Sequence, residues 1–261
     1  MISQQTAVDT IANNLANVNT TGYKNEKTEF KSLLYQTLQT RTTTANGEEK
    51  PISAQVGLGT RVAAITSNFT QGPHLDSESY TAMAIDGDGF FAVRGADGNT
   101  YYTRNGDFKL SVGEDGNLTL VTADGFPVLD TNGNPIVFPG GIQASKMMVS
   151  SEGALGYLDG QNNYVALNQS IGLFQFNNPA GLDKLSNSLL GVTDASGEAM
   201  NEATTPNLVL STVRQGYLEG SNVQVADEMV NLIVAQRAYE MNSKAIQASD
   251  DMLGQANQLK R

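Results

Sequence analysis

Apolar residues follow two different rhythms along this chain. Near the start, Met1, Val8 and Leu15 recur every seven residues, with Ile11 and Val18 on the adjoining row. Alternating steps of three and four residues place these side chains on one face of a helix. The pattern stops at Asn17-Val18-Asn19-Thr20-Thr21-Gly22, residue types that favour caps and turns over helix interiors. A second short helix is expected from about Glu26 to Thr40, burying Phe30, Leu33, Leu34 and Leu38. At the far end, Val225, Leu232, Tyr239, Ile246 and Leu253 are spaced one heptad apart. Small or polar residues, Ala235, Asn242, Ser249 and Ala256, lie three positions after the last four of them and leave room for another helix. Ser221-Asn222 is the expected N-cap, and Asp227 and Glu228 put negative charge in the first turns, where the helix dipole favours it. No proline interrupts the run, so the expected helix is about 55 Å long. A strict seven-residue repeat implies coiled packing against a partner.

Between the ends the rhythm changes. Residues 41–55 are polar and Thr-rich and read as a linker or extended arm. After them come short apolar runs, Val62–Ile65, Ala84-Ile85, Phe90–Val93, Tyr101–Thr103, Leu118–Val121, Val128-Leu129 and Ile136–Phe138. Turn pairs separate many of them: Asp97-Gly98, Asp115-Gly116, Asp124-Gly125 and Asn132-Gly133. Asp-Gly and Asn-Gly suit tight hairpins because both tolerate positive φ. The expected fold is therefore α+β, with N- and C-terminal helices pairing as a coiled-coil stalk and a central antiparallel β-rich domain. Its parts are a terminal helical domain (1–40 and 216–261), a linker (41–55) and a β-rich outer domain (56–215).

A helix of that length cannot hide its apolar stripe against a β body attached at one end. The other heptad-patterned segment is residues 1–18. Pairing the two ends, and packing the pair on copies of the same chain, buries both stripes. The residues expected to carry self-assembly are Val8, Ile11, Leu15, Val18, Val225, Met229, Leu232, Gln236, Arg237, Tyr239, Ile246 and Leu253. Arg237 and Glu240, three apart on a helix, are positioned to form an ion pair that helps set register.

Composition narrows the function classes. Lys plus Arg total 16 against 27 Asp plus Glu, a formal charge of −11. This excess repels phosphate backbones, and no basic patch offsets it, so nucleic acid is excluded as a partner. With 0 Cys there are no disulfides and no thiolate metal sites. No run approaches the length of a membrane span, and the start lacks a secretory profile, so if the protein leaves the cytoplasm the expected route is one that cleaves no signal peptide.

Candidate chemistry is sparse. The single histidine, His74, follows Gly72-Pro73 and is expected in a surface turn, without the Ser and Asp partners of a triad. Asp86-Gly87-Asp88-Gly89 reads as a turn in preference to a glycosidase carboxylate pair. Asp130-Thr131-Asn132-Gly133-Asn134 imitates the start of an EF-hand loop, but Pro135 takes the place of the glycine and Gly141 that of the bidentate Glu. The expectation is no catalytic residue, no metal site and no cofactor. A secreted wall hydrolase lacks a catalytic set here. A trimeric binding module or adhesin is the alternative from a different class.

Several blocks resemble one family in order along nearly the whole chain. Ala12-Asn13-Asn14-Leu15-Ala16-Asn17, continuing to Gly22-Tyr23-Lys24, is similar to the N-terminal signature of flagellar rod and hook proteins. Gly220-Ser221-Asn222-Val223 and Ala235-Gln236-Arg237-Ala238-Tyr239-Glu240 resemble the matching C-terminal signature. Gln55–Arg61, Phe69–Gly72, Ala84–Phe91 (with Gly87, Gly89, Phe90 and Phe91) and Tyr102–Phe108 resemble the family's β-domain motifs. Within the family, Gln236–Glu240 with Asn242-Ser243-Lys244 is most similar to distal-rod subunits. Val234-Ala235 leans toward hook sequences, which leaves other rod or hook-type axial subunits as alternatives. The resemblance implies a structural subunit of the flagellar basal body that polymerises helically into an axle. It implies terminal helices in an inner tube and partners that include itself, other rod subunits, the hook protein, the flagellar export apparatus and surrounding ring proteins. It also implies a further short apolar segment ahead of Met1, and a stiffening role for residues 41–55.

Overall fold

The computed structural model describes residues 1–39, 54–113, 115–161 and 163–258. Both ends are helical where the sequence places its long apolar rhythms: α1 spans Ile2–Ala16 and α2 spans Val225–Gln258. At 34 residues α2 is about 50 Å long. Its N-terminus differs from the expectation. Glu228 N–H already bonds to Gln224 O, so Gln224 holds the cap position, while Ser221 Oγ accepts from Val223 N–H in a turn ahead of the helix.

The chain divides into two compact units. One comprises residues 1–15, 26–67 and 224–261; the other comprises 16–25 and 68–223. In the first unit the expected second helix is absent. Residues 26–39 instead form strands β1 (Glu26–Ser32) and β2 (Tyr35–Gln39), paired with β4 (Thr60–Ser67) and β3 (Ala54–Gly57). Bonds from Leu33 N–H to Gly59 O and from Leu58 N–H to Leu34 O join the two pairings into one long two-stranded ribbon. The β-branched partner segment Thr60-Arg61-Val62-Ala63-Ala64-Ile65-Thr66 overrides the helical spacing of Phe30, Leu34 and Leu38. Phe30, Leu33, Leu34 and Leu38 are exposed on the ribbon and form no core. Residues 41–53 of the segment expected as a linker lie outside the described residues, as does Thr40, and Ala54 and Gln55 belong to β3.

The second unit is antiparallel throughout. Its largest sheet has six strands in the order 183–184, 190–191, 100–103, 90–94, 173–175, 200–201. Two three-stranded sheets, 109–112/118–121/137–138 and 147–149/154–158/164–170, complete the body with the two-stranded pairings of Met83–Asp86 with Thr212–Gln215 and of His74–Asp76 with Tyr217–Glu219. The main core gathers Ile85, Phe91, Phe108, Leu120, Ile136 and Leu155, each at most 1% exposed. A smaller cluster stacks Phe90, Tyr102 and Phe176 edge to face.

Local chemistry builds this body by repeating one device. In the loops 95–99, 113–117, 122–126, 130–134 and 150–154, the N–H of the first residue bonds to the carbonyl of the fifth, and a glycine in fourth place has φ between +74° and +87°. This is a turn closed by a left-handed residue, the usual three-residue hairpin connection. The turn Ser186–Leu189 breaks the rule. Asn187 (φ 62°) and Ser188 (φ 59°) are both left-handed, and the second of these positions strongly favours glycine. Ser188→Gly is therefore expected to raise stability by about 0.5–1 kcal/mol in urea denaturation, and a β-branched Ser188→Val to lower it.

Candidate functional site

Three segments far apart in sequence meet inside the second unit: 17–25, 68–73 and 217–223. Their centre is Glu219, whose side chain is fully buried. Its Oε1 accepts from Lys24 Nζ at 2.6 Å and from Gly72 N–H at 3.0 Å, and its Oε2 accepts from Arg104 Nη1 at 3.3 Å. Its backbone carbonyl accepts from Gly22 N–H at 2.8 Å. Lys24 Nζ also donates to Thr70 O, and Arg104 Nη2 donates to Gly87 O. The Arg104 guanidinium lies 5.0 Å over the Phe90 ring. Burial pulls the pKa of Lys24 below its ordinary value, and the Glu219 carboxylate opposes that shift. Arg104 is shifted the same way by burial, against Glu219, Asp88 and Glu202.

Around this triad the backbones approach too closely for side chains. A Cβ on Gly72 would run into the carbonyl oxygen of Gly220, and one on Gly22 would lie 2.6 Å from Asn105 N. Asn222 fastens the same three segments. Its Oδ1 accepts from Asn25 N–H at 2.7 Å, while Nδ2 donates to Asn68 O and Thr70 O. Nearby, Gly89 N–H donates to Ser211 Oγ, which donates in turn to the buried Glu202. The blocks that carry the family resemblance thus converge: Gly22 and Lys24, Thr70 and Gly72, Gly87 to Phe90, Arg104, and Gly220 to Val223. Phe91 faces the main core, and Val223 is buried beside Asn222 in sequence.

The residues expected to carry self-assembly sit elsewhere, and the buried face of α1 is not the apolar one. Ser3, Thr10 and Asn14 are buried. Ser3 Oγ donates to Thr60 O, Thr10 Oγ1 accepts from Thr28 Oγ1, and Asn14 exchanges two hydrogen bonds with the backbone of Glu26. Asn14 Nδ2 also donates to Glu228 Oε2 on α2 at 3.3 Å, and Asn13 Nδ2 reaches Glu26 Oε2 at 3.5 Å. Val8, Ile11 and Leu15 lie roughly 110° around the helix from this polar stripe and stay half-exposed, as does Val18 beyond the helix end; Ala16 is exposed and Asn17 half-exposed.

On α2, Glu228 and Ala235 are buried and Leu232 is half-buried, but the heptad row then runs into solvent: Tyr239 is 38% exposed, Ile246 56% and Leu253 66%. Val225 and Met229 are exposed as well. Arg237 and Glu240 form the expected ion pair at 3.0 Å, on the surface, where such pairs add little stability. Gln236 is exposed. A second row outside the heptads, Val230, Val234, Met241 and Met252, lies roughly 150° from the first and is at least 60% exposed. Its steps of 4, 7 and 11 residues are helical multiples and were available in the sequence, hidden by the more regular heptads.

The residues considered for chemistry hold structure. His74 opens a strand, where a surface turn was expected, and is half-buried, with Nε2 3.1 Å from Gln71 Nε2. Asp86 bonds to Arg214 at 2.7 Å, and Asp130 Oδ1 accepts from the N–H groups of Asn132 and Asn134, closing a hairpin turn. Among the described residues no group of three or more His, Asp or Glu is placed to hold a metal ion, and no helix is long and apolar enough to cross a membrane.

Comparison with known proteins gives three family matches. Residues 1–24 match "Flagella basal body rod protein", 84–157 match "Flagellar hook protein FlgE/F/G D1 domain", and 214–259 match "Flagellar basal body rod FlgEFG protein C-terminal". The flagellar basal-body rod protein FlgG of Borreliella burgdorferi is 45% identical, covering 100% of this chain and 96% of that protein. The FlgG protein of Bacillus subtilis is 36% identical, covering 98% and 94%. The flagellar hook-basal body complex protein FlhP of Bacillus subtilis is 31% identical, covering 98% and 94%.

Removing the carboxylate strands two buried cations. Glu219→Leu is expected to cost about 3–5 kcal/mol in urea denaturation, and the triple variant K24M/R104M/E219L to cost less than that single change.

Proposed function

The chain belongs to the flagellar basal-body rod protein family, whose members are structural and not enzymatic, and we propose that it builds the distal part of the rod by stacking helically on copies of itself. In this reading α1 and α2 pair and line an inner tube, the β-rich unit lies outside, and the polymer passes torque from motor to hook. The subunit leaves the cytoplasm through the flagellar export apparatus without a cleaved signal peptide. It meets other rod subunits, the hook protein and the surrounding rings.

The observation that carries the reading is the pair of exposed apolar rows on α2. A single apolar face, once covered, gives a closed dimer. Two faces on different sides of one helix allow head-to-tail contacts, which continue into an open filament when the rotation between neighbours does not close a ring. Each Val, Ile, Leu or Met covered contributes about 1.5–3 kcal/mol, so a handful per subunit is enough to drive assembly. The half-exposed row of Val8, Ile11 and Leu15 on α1 offers a third strip of the same kind. The distal position is supported by the FlgG relatives, each covered almost end to end. The 31% identity to FlhP supports a related rod or hook-type subunit less strongly.

Met241→Asp and Ile246→Asp place a charge on one row each. Either variant is expected to remain monomeric in sedimentation at concentrations where the native chain forms filaments. The unfolding free energy of the β-rich unit should stay within about 0.5 kcal/mol of native. In a flagellated host either variant should yield basal bodies with a shortened rod and no hook. Filaments of native length from either variant would remove the two-row mechanism.

A further inference from the structure

We infer that Glu219 closes the second unit last, so that the segments leading to both helices are fastened only after the hairpin body has folded. The order of folding does not depend on the polymer reading; its consequence for assembly does.

The first ground is where the contacts lie in sequence. All members of the main core except Leu189 and Val213 fall between residues 83 and 173, joined by the short hairpin loops described above. The junction is built the opposite way. Lys24 and Glu219 are separated by 195 residues, Asn25 and Asn222 by 197, Gly72 and Glu219 by 147, and Arg104 and Glu219 by 115. Closing such loops costs chain entropy before any contact compensates for it, so local hairpins form ahead of long-range pairings.

The second ground is charge. Drawing Lys24, Arg104 and Glu219 out of water one at a time is unfavourable, and only the complete set of partners offsets the cost. Arg104, Gly87 and Phe90 belong to the hairpin body, while Lys24, Thr70 and Gly72 belong to the segments that Glu219 fastens to it. Arg104 follows strand Thr100–Thr103, and Gly87, whose carbonyl accepts from Arg104, follows Met83–Asp86. Glu219 therefore meets a site of which the Arg104 wall already exists. Until then the 17–25 segment and the 68–73 segment lack their shared anion. A chain in which Glu219 has not yet docked does not carry both helices from a closed β-rich unit, which would keep incompletely folded subunits out of a growing polymer.

The test is pulsed amide-exchange labelling of the full-length chain during refolding from urea, in dilute solution with Met241→Asp as background to suppress polymerisation. Core amides, such as Leu120 bonded to Ile136 O and Ile136 bonded to Val128 O, should gain protection first. The amides of Gly22, Gly72 and Gly220, which depend on the 217–223 segment, should follow at least about threefold more slowly. Glu219→Gln should leave the early phase within about twofold of native and speed unfolding at least about tenfold, since a contact made after the transition state acts on unfolding alone. If that variant is too unstable to refold, Lys24→Met should give the same partition. Protection of Gly22 and Gly72 in step with Leu120, or an early phase slowed in proportion to lost stability, would overturn the inference.

Discussion

One buried carboxylate holds the β-rich unit to both ends of its own sequence. Glu219 is shared between Lys24, Arg104 and the Gly72 amide, and its backbone receives Gly22. Two cations and one anion leave an excess of positive charge within the triad, which the Asp88 and Glu202 carboxylates, the Phe90 ring face and the carbonyls of Thr70 and Gly87 temper. A buried ionic set of this kind is a poor source of net stability, yet strongly specific about who may occupy the site. It therefore acts chiefly on arrangement. The triad and the Asn222 hydrogen bonds gather residues 25, 68 and 222 at one place, and from there the chain enters the ribbon and α2.

The first unit has the opposite character. Its internal contacts are economical: a polar stripe on α1 against β1 and β4, and a ribbon of two strands that would be marginal alone in water. Large apolar side chains stay uncovered on the ribbon and on two rows of α2. Exposed apolar area on that scale marks an interaction surface. The division of labour is physical: one unit has buried its oily residues within itself, the other keeps them available.

Much of this was legible in the sequence. The heptads at 225–253 marked out α2, whose start lies a few residues beyond the expected Ser221-Asn222 cap, and the Asp-Gly and Asn-Gly pairs marked four of the five recurring hairpin loops. The failures have specific causes. Phe30, Leu34 and Leu38 have helical spacing, but the pairing of residues 26–39 with 54–67, far along the chain, decides their state, and periodicity carries no information about distant pairing. The α1 seam was found, yet the face packed inside the subunit is Ser3, Thr10 and Asn14, polar residues that no hydrophobicity argument selects. The Glu219 triad was invisible because its members are more than a hundred residues apart from it in two cases out of two, and nothing local distinguishes Lys24 or Arg104 from a surface cation. Their neighbours in the family motifs were the one available pointer.

The heptad row on α2 has a consequence for the mechanics of any shaft made from it. In a straight helix the row from Val225 to Leu253 slips about 20° per heptad, about 80° in all, and would be handed from one neighbour to the next along its length. Keeping a single neighbour requires the helices to wind around one another in a left-handed sense. A rope laid in one hand tightens when twisted one way and slackens when twisted the other. Such a shaft would resist clockwise and counter-clockwise rotation unequally, an asymmetry written into the spacing of five side chains.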